Sequence, residues 1–83
     1  MAMKVKMYTL STCSHCKAAK QFMNGNEVDY EYIDIDLLDG EERRSIMEEV
    51  KKFSSHPSFP TIIIGERVII GFREEEIREV LGL

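Results

Sequence analysis

The sequence predicts one α/β domain, residues 1–83, in which a four-stranded mixed sheet is flanked by helices in the order βαβαββα. Two observations predict this fold class. The apolar residues change several times between the alternation of a strand and the spacing of about 3.6 residues that marks a helix. Glycine and proline stand between the segments, where the chain has to turn. A chain of 83 residues has the length of one domain.

The first half of the chain has a strand–helix–strand pattern. Alternating apolar residues predict strand β1 over residues 4–9, and apolar residues at helical spacing predict helix α1 over residues 14–24. Gly25 follows directly and is typical of a helix end. A second alternating segment predicts strand β2 over residues 30–35. Two strands joined by a helix in this way form a right-handed parallel crossover.

The second half predicts one more helix, a hairpin and a last helix. Asp39, followed three residues later by Glu42, has the spacing of a capping box and predicts the start of α2. Its apolar stripe consists of Ile46, Met47, Val50 and Phe53. Residues 61–64 and 67–70 predict strands β3 and β4, and the short turn between them predicts an antiparallel hairpin. We expect Gly71 to open helix α3. This element order is the minimal order of the thioredoxin fold.

Composition and charge exclude several classes of protein. The chain is 43% hydrophobic and 31% charged, which is too apolar for a disordered protein and too charged for a membrane protein. The net charge of −4 argues against a nucleic-acid partner. The first residues read as a strand rather than as a secretory signal. We therefore predict a cytoplasmic monomer with no membrane or nucleic-acid partner.

The two cysteines, Cys13 and Cys16, form one Cys-x-x-Cys motif where β1 ends and α1 begins. A disulfide across so short a loop gains little from chain entropy, so the pair is better suited to chemistry than to structural support. The first turn of a helix presents unpaired N–H groups and the positive end of the helix dipole. We expect these groups to stabilise a Cys13 thiolate and to lower its pKa from about 8.5 towards roughly 3.5–7.5.

This placement predicts a two-step mechanism. Cys13 attacks a substrate disulfide to form a mixed disulfide, and Cys16, on the same side of the helix turn, then attacks Cys13 and releases the reduced substrate. Lys17 and the imidazole of His15 are candidates for adding positive potential at Cys13. Two interpretations of His15 remain open, because it either tunes Cys13 or is a solvated residue at the tip of the site.

Metal binding is the alternative use of such a motif. A structural zinc site needs about four ligands, and His15 and His56 are the two histidines available beyond the cysteine pair, so we do not predict zinc. Copper(I) prefers thiolates, and a Cys-x-x-Cys between a strand and a helix also fits a soft-metal binding module. Heavy-metal domains, however, run βαββαβ and need no proline beside the site. Copper(I) binding therefore stays as the second functional hypothesis.

Three motifs of the chain belong together: Cys13-Ser14-His15-Cys16 after a strand ending in Tyr8-Thr9, Ser58-Phe59-Pro60 before β3, and Gly71-Phe72-Arg73-Glu74. By these motifs the chain resembles the glutaredoxin family over nearly its whole length; glutaredoxins have Gly-Gly-x-Asp at the third motif. The resemblance implies a thiol–disulfide oxidoreductase with a cis peptide bond before Pro60, beside the cysteines, and with the Phe59 backbone pairing to the substrate. It implies substrate or glutathione binding by Thr12, Ser14, His15, Lys17, Phe59, Pro60, Gly71, Phe72, Arg73 and Glu74.

The chain also departs from the glutaredoxin pattern. Leu10 stands where glutaredoxins usually have a basic residue that holds glutathione, Phe72 replaces a glycine, and Glu74 replaces a shorter acid. Residues 71–73 instead resemble redoxins that serve ribonucleotide reductase and are recharged by thioredoxin reductase. Phe59 replaces a smaller aliphatic residue. We therefore favour a reductant of protein disulfides over a glutathione-dependent enzyme.

The resemblance also bears on cofactors and electron donors. It implies that the electron donor is either glutathione or a flavoenzyme of the thioredoxin-reductase type. We expect no bound cofactor. An iron–sulfur cluster that bridges two chains, as in some glutaredoxins with glutathione, is a further alternative that the resemblance leaves open.

Overall fold

The elements follow the predicted order in the computed structural model, which describes residues 4–83. They are β1 (Val5–Thr9), α1 (Ser14–Gly25), β2 (Glu31–Asp34), a 3-10 turn (Ile35–Leu37), α2 (Gly40–Lys51), β3 (Thr61–Ile64), β4 (Arg67–Ile70) and α3 (Glu74–Leu81). The strands lie in the order β2-β1-β3-β4. β1 is parallel to β2 and antiparallel to β3, which forms the predicted hairpin with β4. The predicted thioredoxin fold is confirmed.

Alternate residues of the central strand β1 contribute to two separate cores. Val5 and Met7 point to the face covered by α1 and α3. The buried residues of this core are Val5, Met7, Ala19, Phe22, Met23, Ile62, Ile64, Ile69 and Ile77. Burying one of the Val, Ile, Phe or Met side chains of this core contributes about 1.5–3 kcal/mol relative to leaving it exposed. This core therefore fixes α1, the helix that carries the cysteine pair, against the sheet.

The other face of the sheet is buried under α2. Tyr8 is 1% exposed and packs with Ile35 and Val50, because α2 covers the face to which it points. Phe53 was expected in the apolar stripe of α2, and this expectation is wrong. Phe53 lies after the end of α2 and is 40% exposed, although its ring centroid is 6.3 Å from that of Tyr8.

Strand β2 is shorter than predicted at both ends. The alternation predicted a strand over residues 30–35, whereas the strand begins at Glu31 and ends at Asp34. Ile35 instead opens the 3-10 turn and buries its side chain beside Tyr8. The turn brings Asp36 towards the loop that follows β1, which matters for the site below.

Two of the helix starts also differ from the prediction. α3 begins at Glu74 rather than at Gly71, because Gly71 has a φ of +87°, a left-handed conformation that a right-handed helix does not accept. Asp39 is the N-cap of α2, as predicted, but its side chain makes no capping hydrogen bond, so the capping box expected with Glu42 does not form. Within residues 4–83, no helix has the length and apolar character needed to cross a membrane.

Candidate active site

The chain turns sharply between β1 and α1 and places the two cysteines differently. Cys13 is the N-cap of α1, with extended backbone angles, and its N–H donates a hydrogen bond to the Leu10 carbonyl at 3.1 Å. Its side chain is half-buried at the end of the helix. Cys16 lies in the first turn and is 0% exposed. Both cysteines are free thiols in this structure.

The surroundings of Cys13 favour its ionised form. Burial works to raise the pKa of this thiol. The hydrogen bonds that its sulfur accepts from the Cys16 thiol and from the backbone N–H groups of Cys16 and His15 outweigh burial and hold the pKa below its ordinary value of 9.0. These N–H groups belong to the first turn of α1, which the sequence predicted would stabilise a Cys13 thiolate.

The surroundings of Cys16 favour its neutral form. Burial, helped by the neighbouring Cys13, raises the pKa of Cys16 to about 12. The Leu10 N–H, which donates a hydrogen bond to the Cys16 sulfur at 3.4 Å, and the charge of Lys20 work against this rise. The pair therefore consists of one accessible thiol that ionises readily and one buried thiol that keeps its proton.

His15 and Lys17 were the side chains expected to add positive potential at Cys13, and the structure gives them other positions. His15 stabilises Cys13 through its backbone N–H, and its side chain is exposed, as is that of Lys17. Lys20, which sequence reasoning did not single out, is the cation that acts on the pair, and it acts on Cys16. Its spacing of four residues from Cys16 was the available signal, because residues at this spacing share one face of a helix.

The loop before β3 lies beside Cys13. The peptide bond between Phe59 and Pro60 is cis, which confirms the prediction from the family resemblance. The Cys13 thiol donates a hydrogen bond to the Phe59 carbonyl, with 3.8 Å between sulfur and oxygen. The N–H of Gly71 donates to the Pro60 carbonyl at 2.7 Å. Cys13, the cis-proline loop and Gly71 are thus brought together.

The other residues implied by the resemblance divide into two groups. Thr12 and Ser14, like the neighbouring His15 and Lys17, are exposed around Cys13. The remaining three follow Gly71 in the chain and lead into α3; they are Phe72, Arg73 and Glu74. Of these, Phe72 packs edge-on against Phe22 in the core beneath α1, with 5.8 Å between ring centroids. The glycine-to-phenylalanine departure therefore fills a packing role.

A hydrogen-bond network that the sequence did not indicate holds the loop before Cys13. The Ser11 N–H donates to one carboxylate oxygen of Asp36 at 2.7 Å, and the Ser11 hydroxyl donates to the other. Arg43 of α2 donates to the Asp36 carbonyl at 2.9 Å. The network thus joins α2, the 3-10 turn and the loop that ends at Cys13. The hydrogen bonds from Ser11 lower the pKa of the Asp36 carboxyl below 3.8.

The Asp36 network makes stability depend on acid pH. The pKa of the Asp36 carboxyl is lower in the folded protein than in the unfolded chain, where it is about 3.9. The network therefore stabilises the folded protein fully above about pH 3.9, and this stabilisation is lost as the pH falls through the pKa of the folded state. We expect Asp36→Ala to lower the free energy of unfolding at neutral pH, with the difference from wild type closing below pH 3.8. Urea unfolding measured at several pH values checks this.

The exposed Asp29 offers a matched control for the Asp36 substitution. Asp29→Ala removes the same charge without touching the network and should change stability little at any pH. An Asp36→Ala variant as stable as Asp29→Ala at neutral pH would show that the network contributes nothing measurable.

Comparison with known proteins gives a consistent family assignment for these features. The glutaredoxin family model matches residues 5–69. A glutaredoxin-like 8.6 kDa protein from the rubredoxin operon of Clostridium pasteurianum is 29% identical over 77 residues, which are 93% of this chain and 96% of that protein.

Solved structures show the same similarity in three dimensions. The methanoredoxin of Methanosarcina acetivorans is 43% identical with a TM-score of 0.90, and the alignment covers 96% of this chain and 85% of that one. The glutaredoxin of Archaeoglobus fulgidus is 41% identical with a TM-score of 0.87, covering 94% of this chain and 85% of that one.

The observed element order differs from the βαββαβ order of heavy-metal domains. Within residues 4–83, no group of three or more His, Cys, Asp or Glu side chains is placed to hold a metal ion.

Proposed function

The chain belongs to the glutaredoxin family, and on this premise we propose that it is a dithiol thiol–disulfide oxidoreductase with Cys13 as nucleophile and Cys16 as resolving thiol. One observation carries the proposal. Two sulfurs within hydrogen-bonding distance of each other have pKa values shifted in opposite directions, which suits them for opposite roles.

In the first step, the Cys13 thiolate attacks one sulfur of a substrate disulfide. A bond forms between Cys13 and that sulfur, the substrate S–S bond breaks, and the other substrate sulfur leaves as a thiolate that takes up a proton. The thiolate is the attacking species, and a thiol of pKa 9.0 would be only about 1% ionised at pH 7. Each unit by which the pKa is lowered therefore raises the reactive fraction nearly tenfold.

In the second step, Cys16 attacks the Cys13 sulfur of the mixed disulfide. The bond between the two cysteines forms and the bond from Cys13 to the substrate breaks. The proton lost by Cys16 is matched by the one gained by the departing substrate thiol, so the substrate is reduced and the cysteine pair oxidised. Burial keeps Cys16 away from the first substrate and in reach of Cys13.

The Phe59 carbonyl gives the mixed disulfide a place to bind. In the reduced protein this carbonyl accepts a hydrogen bond from Cys13. Once Cys13 is bonded to substrate it has no proton to donate, and the carbonyl becomes available to a backbone N–H of the substrate's cysteine segment. We expect protein disulfides to be the substrates for this reason, since they supply an extended backbone.

The electron donor that fits the site better is a flavoenzyme of the thioredoxin-reductase type. Leu10 packs against the core under α2, and Phe72 packs against the core under α1. The Glu74 carboxylate accepts a hydrogen bond from Arg78 at 3.2 Å. These positions therefore offer glutathione fewer polar groups than the family pattern provides. Such a protein would work in the cytosol, where thiols are kept reduced.

A recycling assay tests both the function and the donor. Insulin reduction is followed with the protein recharged either by thioredoxin reductase or by glutathione with glutathione reductase, each with NADPH. We expect clear turnover with the first system and slower turnover with the second. The opposite ranking would overturn the choice of donor. Failure to accelerate insulin reduction with either system, and with dithiothreitol as chemical reductant, would overturn the proposed function.

A further inference from the structure

A charged group lies one helical turn from the resolving cysteine. Lys20 follows Cys16 by four residues on α1, so the two side chains share one face of the helix. The Lys20 Nζ is 3.0 Å from a carboxylate oxygen of Asp34 on β2 and 4.1 Å from the centre of the Tyr32 ring. The side chains of this ion pair are only 20% and 13% exposed. The ammonium group is thus held from two directions and largely withdrawn from water.

A buried threonine extends this network towards the cysteines. Thr9, at the end of β1, is 0% exposed, and its hydroxyl lies within hydrogen-bonding distance of the Asp34 carboxylate and of the Ile33 carbonyl at 3.1 Å. A hydroxyl has one proton and donates to one of these acceptors at a time. The next residue after Thr9 is Leu10, whose N–H donates to the Cys16 sulfur. The network therefore approaches Cys16 from both α1 and β1.

The attack of Cys16 on the mixed disulfide would be helped by a positive charge near its sulfur. Cys16 must act as a thiolate, yet it is buried, and burial disfavours a negative charge. The groups that act on it are the Leu10 N–H, the Cys13 sulfur and the Lys20 charge. When Cys13 is tied up in a mixed disulfide it carries no negative charge, which leaves Leu10 and Lys20 to favour ionisation. A positive charge screened by little water acts more strongly than one on the surface.

We propose that Lys20, positioned by Asp34 and Thr9, stabilises the Cys16 thiolate as it forms and so accelerates the second step of the reaction without affecting the first. This inference rests on the proposed dithiol function. The electron balance of the step is unchanged, since Lys20 keeps its proton throughout and contributes charge alone.

The two steps can be observed in one experiment with 5,5′-dithiobis(2-nitrobenzoate). Attack by Cys13 of the reduced protein releases one coloured thionitrobenzoate and leaves the other bound to Cys13. Attack by Cys16 on this mixed disulfide releases the second. Stopped-flow absorbance therefore gives two phases, one for each cysteine. Lys20→Gln should leave the first phase unchanged and slow the second about tenfold.

Several variants separate charge from structure. Lys20→Arg keeps the charge and should keep most of the second-phase rate. Thr9→Val keeps both charges of the ion pair but removes a contact that holds Asp34, and it should slow the second phase by a smaller factor than Lys20→Gln. Lys51→Gln removes an exposed charge on α2 and should change neither phase. Should Lys20→Gln fold poorly, Lys20→Gln with Asp34→Asn leaves no unpaired carboxylate, and it should still slow the second phase, by a smaller factor.

The outcomes also distinguish this inference from the function on which it depends. A wild-type protein that releases one thionitrobenzoate instead of two would overturn the proposed dithiol function. A wild-type protein with two phases, whose second phase is unchanged in the folded Lys20→Gln variant, would overturn the role of Lys20 alone. Equal slowing of both phases, or equal slowing by Lys20→Arg, would show that the ion pair merely supports the structure of α1.

Discussion

Insulin reduction should fall to the rate seen without protein when Cys13 is replaced by serine. A hydroxyl is not ionised near neutral pH, whereas the Cys13 thiol has a lowered pKa and lies beside the N–H groups of the first helical turn. Removing a nucleophile of this kind costs on the order of a thousandfold or more in rate. The measurement is the turbidity assay of insulin reduction with dithiothreitol as reductant, at equal protein concentration.

The fold itself should survive this substitution. Cys13 is half-buried and serine is similar in shape, so the far-ultraviolet circular dichroism and the urea midpoint should remain close to those of wild type. A folded Cys13→Ser protein that still reduces insulin at the wild-type rate would show that the nucleophile has been assigned to the wrong sulfur.

Cys16→Ser should abolish the reduction of insulin while leaving the first chemical step intact. Without a resolving thiol, the mixed disulfide between Cys13 and the substrate has no internal attacker and accumulates. Mass spectrometry under non-reducing conditions should find the protein covalently bound to one substrate chain. With 5,5′-dithiobis(2-nitrobenzoate) it should release one thionitrobenzoate rather than two.

Glutathione gives this prediction a second test. An external thiol can replace the missing Cys16, but Leu10, Phe72 and Glu74 offer glutathione fewer polar groups than the family pattern provides, so added glutathione should restore only a small part of the rate. Full recovery would mean that glutathione is a good partner of this protein. Wild-type turnover by Cys16→Ser in the absence of glutathione would rule out the two-cysteine mechanism.

Local sequence patterns predict most of this fold, because the apolar residues of each strand or helix repeat at the spacing typical of that element. The two strands of the hairpin have the predicted bounds, and α1 ends at Gly25, one residue after the predicted end. The cysteine pair was placed correctly at the start of α1 by the same reasoning. The failures lie where tertiary contacts decide, as at Ile35, which leaves β2 to pack beside Tyr8.

The parts of the site that sequence reasoning missed are contacts between distant segments. Ser11 and Asp36 are 25 residues apart in the chain, and Thr9 and Asp34 likewise. Their pairing depends on β1 lying parallel to β2 in one register, with Thr9 opposite Asp34. Periodicity predicts that two strands pair but does not state which residues face each other. The Asp36 and Lys20 networks therefore become visible only in three dimensions.

The pH dependence of alkylation by iodoacetamide, with mass spectrometry to locate the label, measures the ionisation of each sulfur separately. The rate at Cys13 should reach half its maximum below pH 9.0, while Cys16 stays unlabelled across the accessible range. Cys16→Ala should move the Cys13 midpoint upwards, because it removes one hydrogen bond to the thiolate. If instead both sulfurs were alkylated together with midpoints at or above pH 9.0, Cys13 would not be held ionised by α1 and the proposed division of roles would be wrong.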